Sequence, residues 1–149
     1  MKTKKEEKDF SKIGKRNRVN GRIFESKVRQ NLEEMGWVID KWTNTVDYEK
    51  WKIVPAKKKF NPFMKIMTIG TGFPDFIAFK KNAENYEVIG VEVKSNGYLD
   101  KIEKDMCIWL LENKIFSRIL IAKKSKKISG RGIEVEYVDF IKKYKKDED

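Results

Sequence analysis

The sequences GFPDFIAF, at residues 72–79, and VIGVEVK, at residues 88–94, decide the fold of this protein. Both segments are rich in Val, Ile and Phe and are bounded by Gly, Pro or polar residues, which is typical of β-strands. The residues between them contain Asn-Ala-Glu-Asn at 82–85. This tetrapeptide suits a short turn, because Asn tolerates a left-handed backbone and forms local hydrogen bonds. The two segments therefore predict an antiparallel hairpin.

The register of this hairpin follows from the position of the turn. If residues 82–85 form the loop, Asp75 lies directly opposite Glu92. Directly opposite residues share a face of the sheet, with Cβ atoms about 5 Å apart. Lys94 points to the same face, because it lies two residues beyond Glu92. A slip of one residue would separate the two carboxylates, so the register predicts a cluster of two carboxylates and one ammonium group.

Such a cluster has a definite chemistry. Two carboxylates held together repel, which raises the pKa of one of them unless a cation neutralises the pair. Carboxylate oxygens are ligands that suit Mg²⁺ or Mn²⁺. Lys94 beside them is placed to orient a water molecule or to stabilise charge that develops on a phosphate. The alternative is a purely structural group of charged residues on a solvated face of the sheet.

The motif Pro74-Asp75, followed by Glu92-Val93-Lys94, resembles the signature of the PD-(D/E)XK nuclease superfamily. The preceding segment Gly21-Arg22-Ile23-Phe24-Glu25 resembles the acidic helix of the same superfamily. The resemblance covers roughly residues 20–122, and the nearest branch is the archaeal Holliday-junction resolvases with related small archaeal and viral nucleases. It implies an α/β fold with a restriction-endonuclease-like core, in the order helix, three-strand meander, helix and strand, around a mixed central sheet.

The resemblance also implies a function, namely a Mg²⁺-dependent (or Mn²⁺-dependent) endodeoxyribonuclease. Asp75, Glu92 and the backbone carbonyl of Val93 would bind the metal, and Glu25 would complete the coordination or share a second metal. Lys94 would orient the attacking water or stabilise the developing charge. A four-way junction is the leading substrate, which suggests DNA recombination and repair, and two symmetric cuts would require a homodimer.

Two alternatives stay open at this stage. One is a general or repair nuclease that acts on linear, flap or single-stranded DNA. The other is a DNA-binding or RNA-binding protein that uses the same scaffold without catalysis.

Composition limits the chemistry further. A chain of 149 residues favours one domain. The sequence has no histidine, which excludes Ser–His and Cys–His nucleophiles and, with a single cysteine, argues against a zinc site. Cys107 has no partner for an internal disulfide. With no apolar run long enough for a membrane span and no signal-peptide pattern, we expect a cytoplasmic protein with no membrane partner.

The charge balance predicts an anionic partner. The chain has 34 Lys and Arg against 23 Asp and Glu, for a net charge of +11. A surplus of this size on a small domain favours nucleic acid, with binding that weakens as salt rises. The alternative is a lysine-rich surface adapted to high temperature.

The basic residues are concentrated near the N-terminus. Residues 1–19 predict a flexible arm that precedes a domain of residues 20–146 and an acidic tail at 147–149. A helix is predicted over 21–35, with Asn20 as its N-cap. The candidate nucleic-acid contacts of this region are Lys15, Arg16, Arg18 and Arg22. The alternative is a solubilising tail.

Residues 43–71 form a basic and aromatic insertion. We predict an inserted hairpin or lid, with strands at 49–55 and 64–69, because a structureless loop of this length is unusual in a compact domain. Basic residues interleaved with aromatic ones suit contacts with phosphates and stacking on bases, and Lys57, Lys58 and Lys59 are the candidates. The alternative is an ordinary hairpin that covers the core.

The remainder predicts elements that complete the sheet. A helix over 101–113 is capped by Asp100 and Glu103 as a capping box. Residues 116–122 predict a buried strand parallel to the strand of Glu92, because a crossover helix precedes it. Residues 133–137 predict an edge strand and residues 138–146 a final helix.

Overall fold

The computed structural model describes residues 4–56, 59–61, 66–68, 72–126, 132 and 134–144. Within these residues the protein is a mixed α/β structure with a five-stranded sheet and three helices. The elements, in chain order, are α1 (Lys4–Glu34), β1 (Val38–Lys41), β2 (Asn44–Asp47), β3 (Lys52–Pro55), β4 (Lys59–Asn61), β5 (Ile66–Thr68), β6 (Phe76–Asn82), β7 (Asn85–Val93), α2 (Lys101–Glu112), β8 (Arg118–Lys124), β9 (Val135–Asp139) and α3 (Phe140–Tyr144).

The main sheet has the strand order β1-β6-β7-β8-β9. The pairs β1–β6, β6–β7 and β8–β9 are antiparallel, whereas β7 and β8 are parallel and are joined through α2. The predicted α/β class, the mixed sheet and the parallel strand after the crossover helix are therefore confirmed. This arrangement puts β7 at the centre of the sheet, with neighbours on both sides.

The β6–β7 hairpin has the predicted register. Phe76 pairs with Val91 and Lys81 pairs with Tyr86. The turn is shorter than predicted, because Asn82 also pairs with Asn85 and leaves two residues in the loop. Ala83, the first of these, has a φ of 52°. The predicted four-residue loop was therefore wrong. The register is nevertheless the predicted one, because the additional Asn82–Asn85 pair leaves every other residue opposite its predicted partner.

The first helix begins earlier than predicted. Residues 4–19, which the sequence predicted as a flexible arm, are part of α1 from Lys4 onward, so Asn20 lies inside the helix and does not cap it. No proline interrupts this segment, and an Asn within a helix costs only a fraction of a kcal/mol. Phe24, Val28, Leu32 and Met35 recur at helical spacing, which predicts that all four are buried. The first three are buried, but Met35 lies beyond the helix end and is 45% exposed, so its predicted burial was wrong.

Helices cover both faces of the sheet. On one face, the stripe of α1 packs against Ile39, Phe76, Ala78, Ile89, Val91 and Ala122. On the other face, α2 and α3 contribute Cys107, Trp109, Leu110 and Phe140 to a second cluster with Phe116, Ile119 and Ile121. The solvated face of β7 that the structural alternative supposed is therefore absent from the described structure, because α2 lies over the face that carries Glu92. The helical spacing of Ile102 with Met106 and Trp109 predicts that Ile102 packs on the sheet. This prediction was wrong, because Ile102 lies on the outer side of α2 and is 73% exposed.

The insertion contains two hairpins and not one. Strand β3 pairs with β2, and β5 pairs with β4. The predicted pairing of residues 49–55 with 64–69 was wrong because each strand pairs with a nearer segment, and shorter loops lose less entropy on closure. The β2–β3 hairpin lies over the second core cluster, where Val46 is buried. Trp51 near its tip contacts Trp109 of α2, with ring centroids 5.8 Å apart.

The elements after the hairpin are of the predicted types, although some of their bounds differ. The capping box of Asp100 and Glu103 is confirmed at the start of α2. Strand β9 is the edge strand but lies at Val135–Asp139, later than predicted, so α3 begins at Phe140. None of the helices in the described part of the chain has both the length and the apolar character that a membrane span requires.

Gly72 is the position at which we expect the fold to tolerate a side chain least. A Cβ atom there would lie 2.5 Å from the carbonyl oxygen of Trp42 and 2.6 Å from the backbone nitrogen of Asn44. Backbone atoms cannot rotate aside, so Gly72→Ala should lower the free energy of unfolding by about 1–3 kcal/mol. Urea unfolding monitored by circular dichroism measures this change. Gly14→Ala is the control, since a Cβ there meets no atom within 4 Å and should stabilise the helix by up to about 1 kcal/mol.

Candidate active site

A cleft of about 400 Å³ lies at the edge of the main sheet where β6 begins and β7 ends. Helix α1 lines it with Arg18, Gly21, Arg22 and Glu25, and the sheet lines it with Asp75, Glu92, Val93, Lys94 and Ser95. All four predicted catalytic side chains therefore meet in one cleft, although they come from three separate segments of the chain. Two of the predicted nucleic-acid contacts, Arg18 and Arg22, lie in the same wall.

The backbone of the neighbouring strands holds Asp75 in place. The amide of Val93 donates a hydrogen bond to Asp75 Oδ2 at 2.8 Å, and the amide of Trp42 donates to the Asp75 carbonyl at 3.0 Å. The preceding residue, Pro74, is buried against Gly90, where a Cβ would lie 2.8 Å from the proline ring. Asp75 is thus fixed from both sides, because only glycine at position 90 leaves room for Pro74.

Glu92 is buried beneath α2 and is 5% exposed. Its side chain faces Asp75, to which a protonated Glu92 would donate a hydrogen bond. Burial, together with this hydrogen bond and the repulsion from Asp75, raises the pKa of Glu92 to about 10. The expectation that one carboxyl of the pair has a raised pKa is therefore met, with burial as the larger cause. Glu92 Oε2 is also buried and has no hydrogen-bond partner among the described residues.

Lys94 is held by a residue that the sequence had not assigned to the site. Its Nζ atom lies 2.7 Å from Glu103 Oε2. Partial burial favours the neutral amine, but the hydrogen bond and negative charge of Glu103 outweigh it and raise the pKa of Lys94. Lys94 is therefore an ammonium group at neutral pH. It can donate hydrogen bonds and stabilise negative charge, but it cannot accept a proton.

Glu103 has two contacts that place it in the site. One carboxylate oxygen accepts a hydrogen bond from the amide of Asp100 in the capping box, and the other binds Lys94. The sequence showed only the first role. Its second role could have been found from the topology, because the first turn of a crossover helix lies near the end of the strand that leads into it.

Glu25 lies in the cleft but is also paired with a cation. Lys41 Nζ of β1 is 3.8 Å from Glu25 Oε1. Within the described residues no group of three or more Asp, Glu, Cys or His side chains lies close enough to hold a metal ion. The role of Glu25 as a metal ligand stays a prediction.

Two further predicted nucleic-acid contacts, Lys15 and Arg16, do not line the cleft. Lys15 and Arg16 are exposed on α1, less than one turn before Arg18 and about two turns before Arg22. Lys57 and Lys58 lie outside the described residues, as does the side chain of Lys59. The insertion therefore stays a candidate contact surface on sequence grounds alone.

The carboxyl pair suits a hard divalent cation. Asp75 and Glu92 offer oxygen ligands, and the buried Glu92 Oε2 without a partner is the kind of atom that a cation would satisfy. Val93, whose backbone carbonyl was the third predicted ligand, lines the same cleft. These residues fit Mg²⁺ or Mn²⁺ better than zinc, since the site contains neither histidine nor cysteine ligands.

Comparison with protein-family models, with curated proteins and with solved structures finds no match for this chain. The functional assignment therefore depends on the cleft itself. Its three carboxyl groups, one ammonium group and two guanidinium groups are the observations to be explained.

The raised pKa of Glu92 predicts a pH-dependent stability in EDTA. The folded state retains a proton on Glu92 up to about pH 10, whereas the unfolded state loses it near the ordinary value of 4.5. Between these values the contribution of Glu92 to stability falls as pH rises, by at most about 1.4 kcal/mol per pH unit. Glu92→Gln cannot ionise and should flatten the dependence. Urea unfolding between pH 5 and pH 9 measures it.

The matched control is Glu84→Gln, which changes an exposed glutamate at the hairpin turn. It should leave the pH dependence as in the wild type. If Glu92→Gln and Glu84→Gln give the same slope, Glu92 is not protonated in the folded protein.

Proposed function

We propose that this protein is a metal-dependent endonuclease that hydrolyses DNA phosphodiesters on a restriction-endonuclease-like core. The observation that carries the proposal is the convergence in one cleft of Asp75, Glu92, Lys94 and Glu25 with two arginines. A structural cluster needs no open cleft and no guanidinium groups. A phosphodiester needs both, together with oxygen ligands for a cation.

Each group has a defined task in this reaction. Arg18 and Arg22 bind the phosphate oxygens, since guanidinium groups match phosphate geometry. Asp75, Glu92 and the carbonyl of Val93 would hold the cation, and Glu25 would complete the coordination or share a second one. A bound Mg²⁺ or Mn²⁺ supplies Lewis acidity at the phosphoryl group and makes a water molecule a better nucleophile.

Lys94 acts through its charge. As an ammonium group it donates to the attacking water or stabilises the charge that develops on the phosphate. Glu103 fixes its position through the 2.7 Å contact. Proton abstraction falls to another group, because the raised pKa leaves Lys94 without a free electron pair at neutral pH.

The four-way junction is the substrate to test first, because the motif resemblance points to the junction-resolving branch. In that case the protein would serve DNA recombination and repair. Linear duplex, flap and single-stranded DNA are the other candidates for the same chemistry. Fold and motif alone do not choose among them.

A second candidate function is a nucleic-acid-binding protein without catalysis. This function is favoured because the charged groups of the cleft are balanced without a metal ion. Lys94 is paired with Glu103, and the raised pKa of Glu92 keeps its carboxyl group neutral beside Asp75. The net charge of +11 would suffice for binding. The metal dependence of cleavage separates the two functions.

We expect metal-dependent cleavage that requires the carboxyl pair. Labelled four-way junction, linear duplex and single strand are incubated with the protein in Mg²⁺ or in EDTA. Asp75→Asn and Glu92→Gln should each lower the cleavage rate by about 100-fold or more, the scale on which a catalytic group contributes, with DNA affinity retained. Denaturing gels measure the rate and locate the cut.

Glu84→Gln, at the opposite end of the β6–β7 hairpin, is the control and should cleave as the wild type does. Symmetric nicks near the branch point would support a resolvase, and cleavage of all three substrates a general nuclease. DNA that is bound but uncut in every metal would leave only the binding function.

The resolvase version also predicts an oligomeric state. Two symmetric cuts need two sites related by a two-fold axis, so the protein should bind a four-way junction as a homodimer. Size-exclusion chromatography with light scattering on the complex measures this. A monomer on the junction would exclude symmetric resolution and leave the nuclease activity itself unaffected.

A further inference from the structure

Residues 12–23 of α1 stand apart from the rest of the described structure. They are all exposed, on every side of the helix, and the residue that follows them, Phe24, is buried. A Cβ built at Gly14 or Gly21 meets no other atom within 4 Å. At 1.5 Å per residue this stretch is about 18 Å long. It is a free helix that continues directly into the wall of the cleft.

The free helix is basic along one side. Between residue 12 and Phe24 it carries Lys12, Lys15, Arg16, Arg18 and Arg22 and no acidic residue. Steps of three and four residues connect these positions, so their side chains share one side of the helix. Arg18 and Arg22 at its inner end line the cleft. The basic side therefore runs without interruption from the cleft outward.

This segment is poorly suited to exist as a helix without a partner. It contains two glycines and two asparagines, Gly14, Asn17, Asn20 and Gly21. Glycine alone costs about 1 kcal/mol per residue in a helix. Most helices in proteins are stabilised by packing of one face, and residues 12–23 bury none within the described chain. A partner that binds the basic side would supply the missing stabilisation.

We infer that residues 12–23 of α1 lie in the major groove of B-form duplex DNA, next to the phosphodiester bound in the cleft. An α-helix is about 10–12 Å across, and the major groove of B-DNA is about 12 Å wide and admits one. The deep, narrow major groove of A-form RNA does not, and a single strand has no groove. The position of the cut strand rests on the proposed function, whereas the docking of the helix does not.

The continuity of α1 fixes the geometry of the complex. The same helix supplies the docking surface, Arg18, Arg22 and the cleft residue Glu25. The protein therefore requires duplex on one side of the cleft, over about 18 Å or about five base pairs. Duplex on that side of the bond would be needed for tight binding whether or not the DNA is branched.

Binding without cleavage tests this inference separately from the nuclease function. Fluorescence anisotropy in EDTA, with the Asp75→Asn protein, compares a labelled DNA duplex of about 20 base pairs with an RNA duplex and a DNA single strand of equal length. The triple variant K12Q/K15Q/R16Q removes three cations that do not line the cleft. K81Q/K114Q/K142Q is the matched control, since it removes three exposed lysines outside both α1 and the insertion.

We expect the α1 triple variant to bind the DNA duplex about tenfold more weakly, with a salt dependence reduced by about three ions. The control should lose about twofold at most. Affinity for the RNA duplex should respond equally to the two triple variants. Equal losses on the DNA duplex would overturn the inference, because net charge alone would then explain binding. The inference would also be overturned if the α1 triple variant lost as much affinity for the RNA duplex or the DNA single strand as for the DNA duplex.

A second pair of variants tests the helix and not its charge. Asn17→Pro keeps every cation but breaks the free helix, since proline removes a hydrogen bond and clashes with the preceding turn. Residue 17 touches neither core cluster, so the fold should persist, as unfolding in urea would verify. Asn17→Pro should weaken duplex binding about tenfold and Asn17→Ala should not. Unchanged binding by Asn17→Pro would show a flexible basic tail and would overturn the groove assignment, whether or not the protein cleaves DNA.

Discussion

The pairing of β6 with β7 is the constraint on which the rest of the structure depends. Its register puts Asp75 beside the end of β7, where the amide of Val93 donates to the aspartate. A slip of one residue would turn Glu92 toward α1, where Val28 and Leu32 fill the space. The close contact of Pro74 with Gly90 opposes such a slip, because any other residue at position 90 would collide with the proline ring.

This pairing places a carboxyl group where the fold by itself would prefer an apolar one. Glu92 is buried beneath α2, and its Oε2 has no partner in the described structure. Buried polar atoms without partners destabilise a protein, so their persistence is typical of sites kept for function. Two contacts limit the cost: a protonated Glu92 would donate a hydrogen bond to Asp75, and Glu103 neutralises Lys94. Helix α2 therefore covers the site and, through Glu103, holds the ammonium group of Lys94 in place.

Helix α1 is packed against the sheet over one part of its length and exposed to solvent over another. Its C-terminal half buries Phe24, Val28 and Leu32 against the sheet, and residues 12–23 before it are exposed and basic. Glu25 and Arg22 lie at the change between the two, in the wall of the cleft. Because a helix is stiff, whatever binds the outer half is held at a fixed distance from the carboxyl pair. The same element thus links substrate position to the site.

The sequence by itself determined the local features of this protein. The β6–β7 register followed from the alternation of side chains and a short turn, and the capping box of α2 from Asp100 and Glu103, because neighbouring residues decide both. Tertiary structure alone decided the burial of Glu92 and the ion pair of Lys94 with Glu103. Each brings together segments whose contact no local pattern records. The start of α1 was missed for a related reason: Asn20 has the chemistry of a cap, but a cap forms only where the backbone leaves the helix, and here it continues.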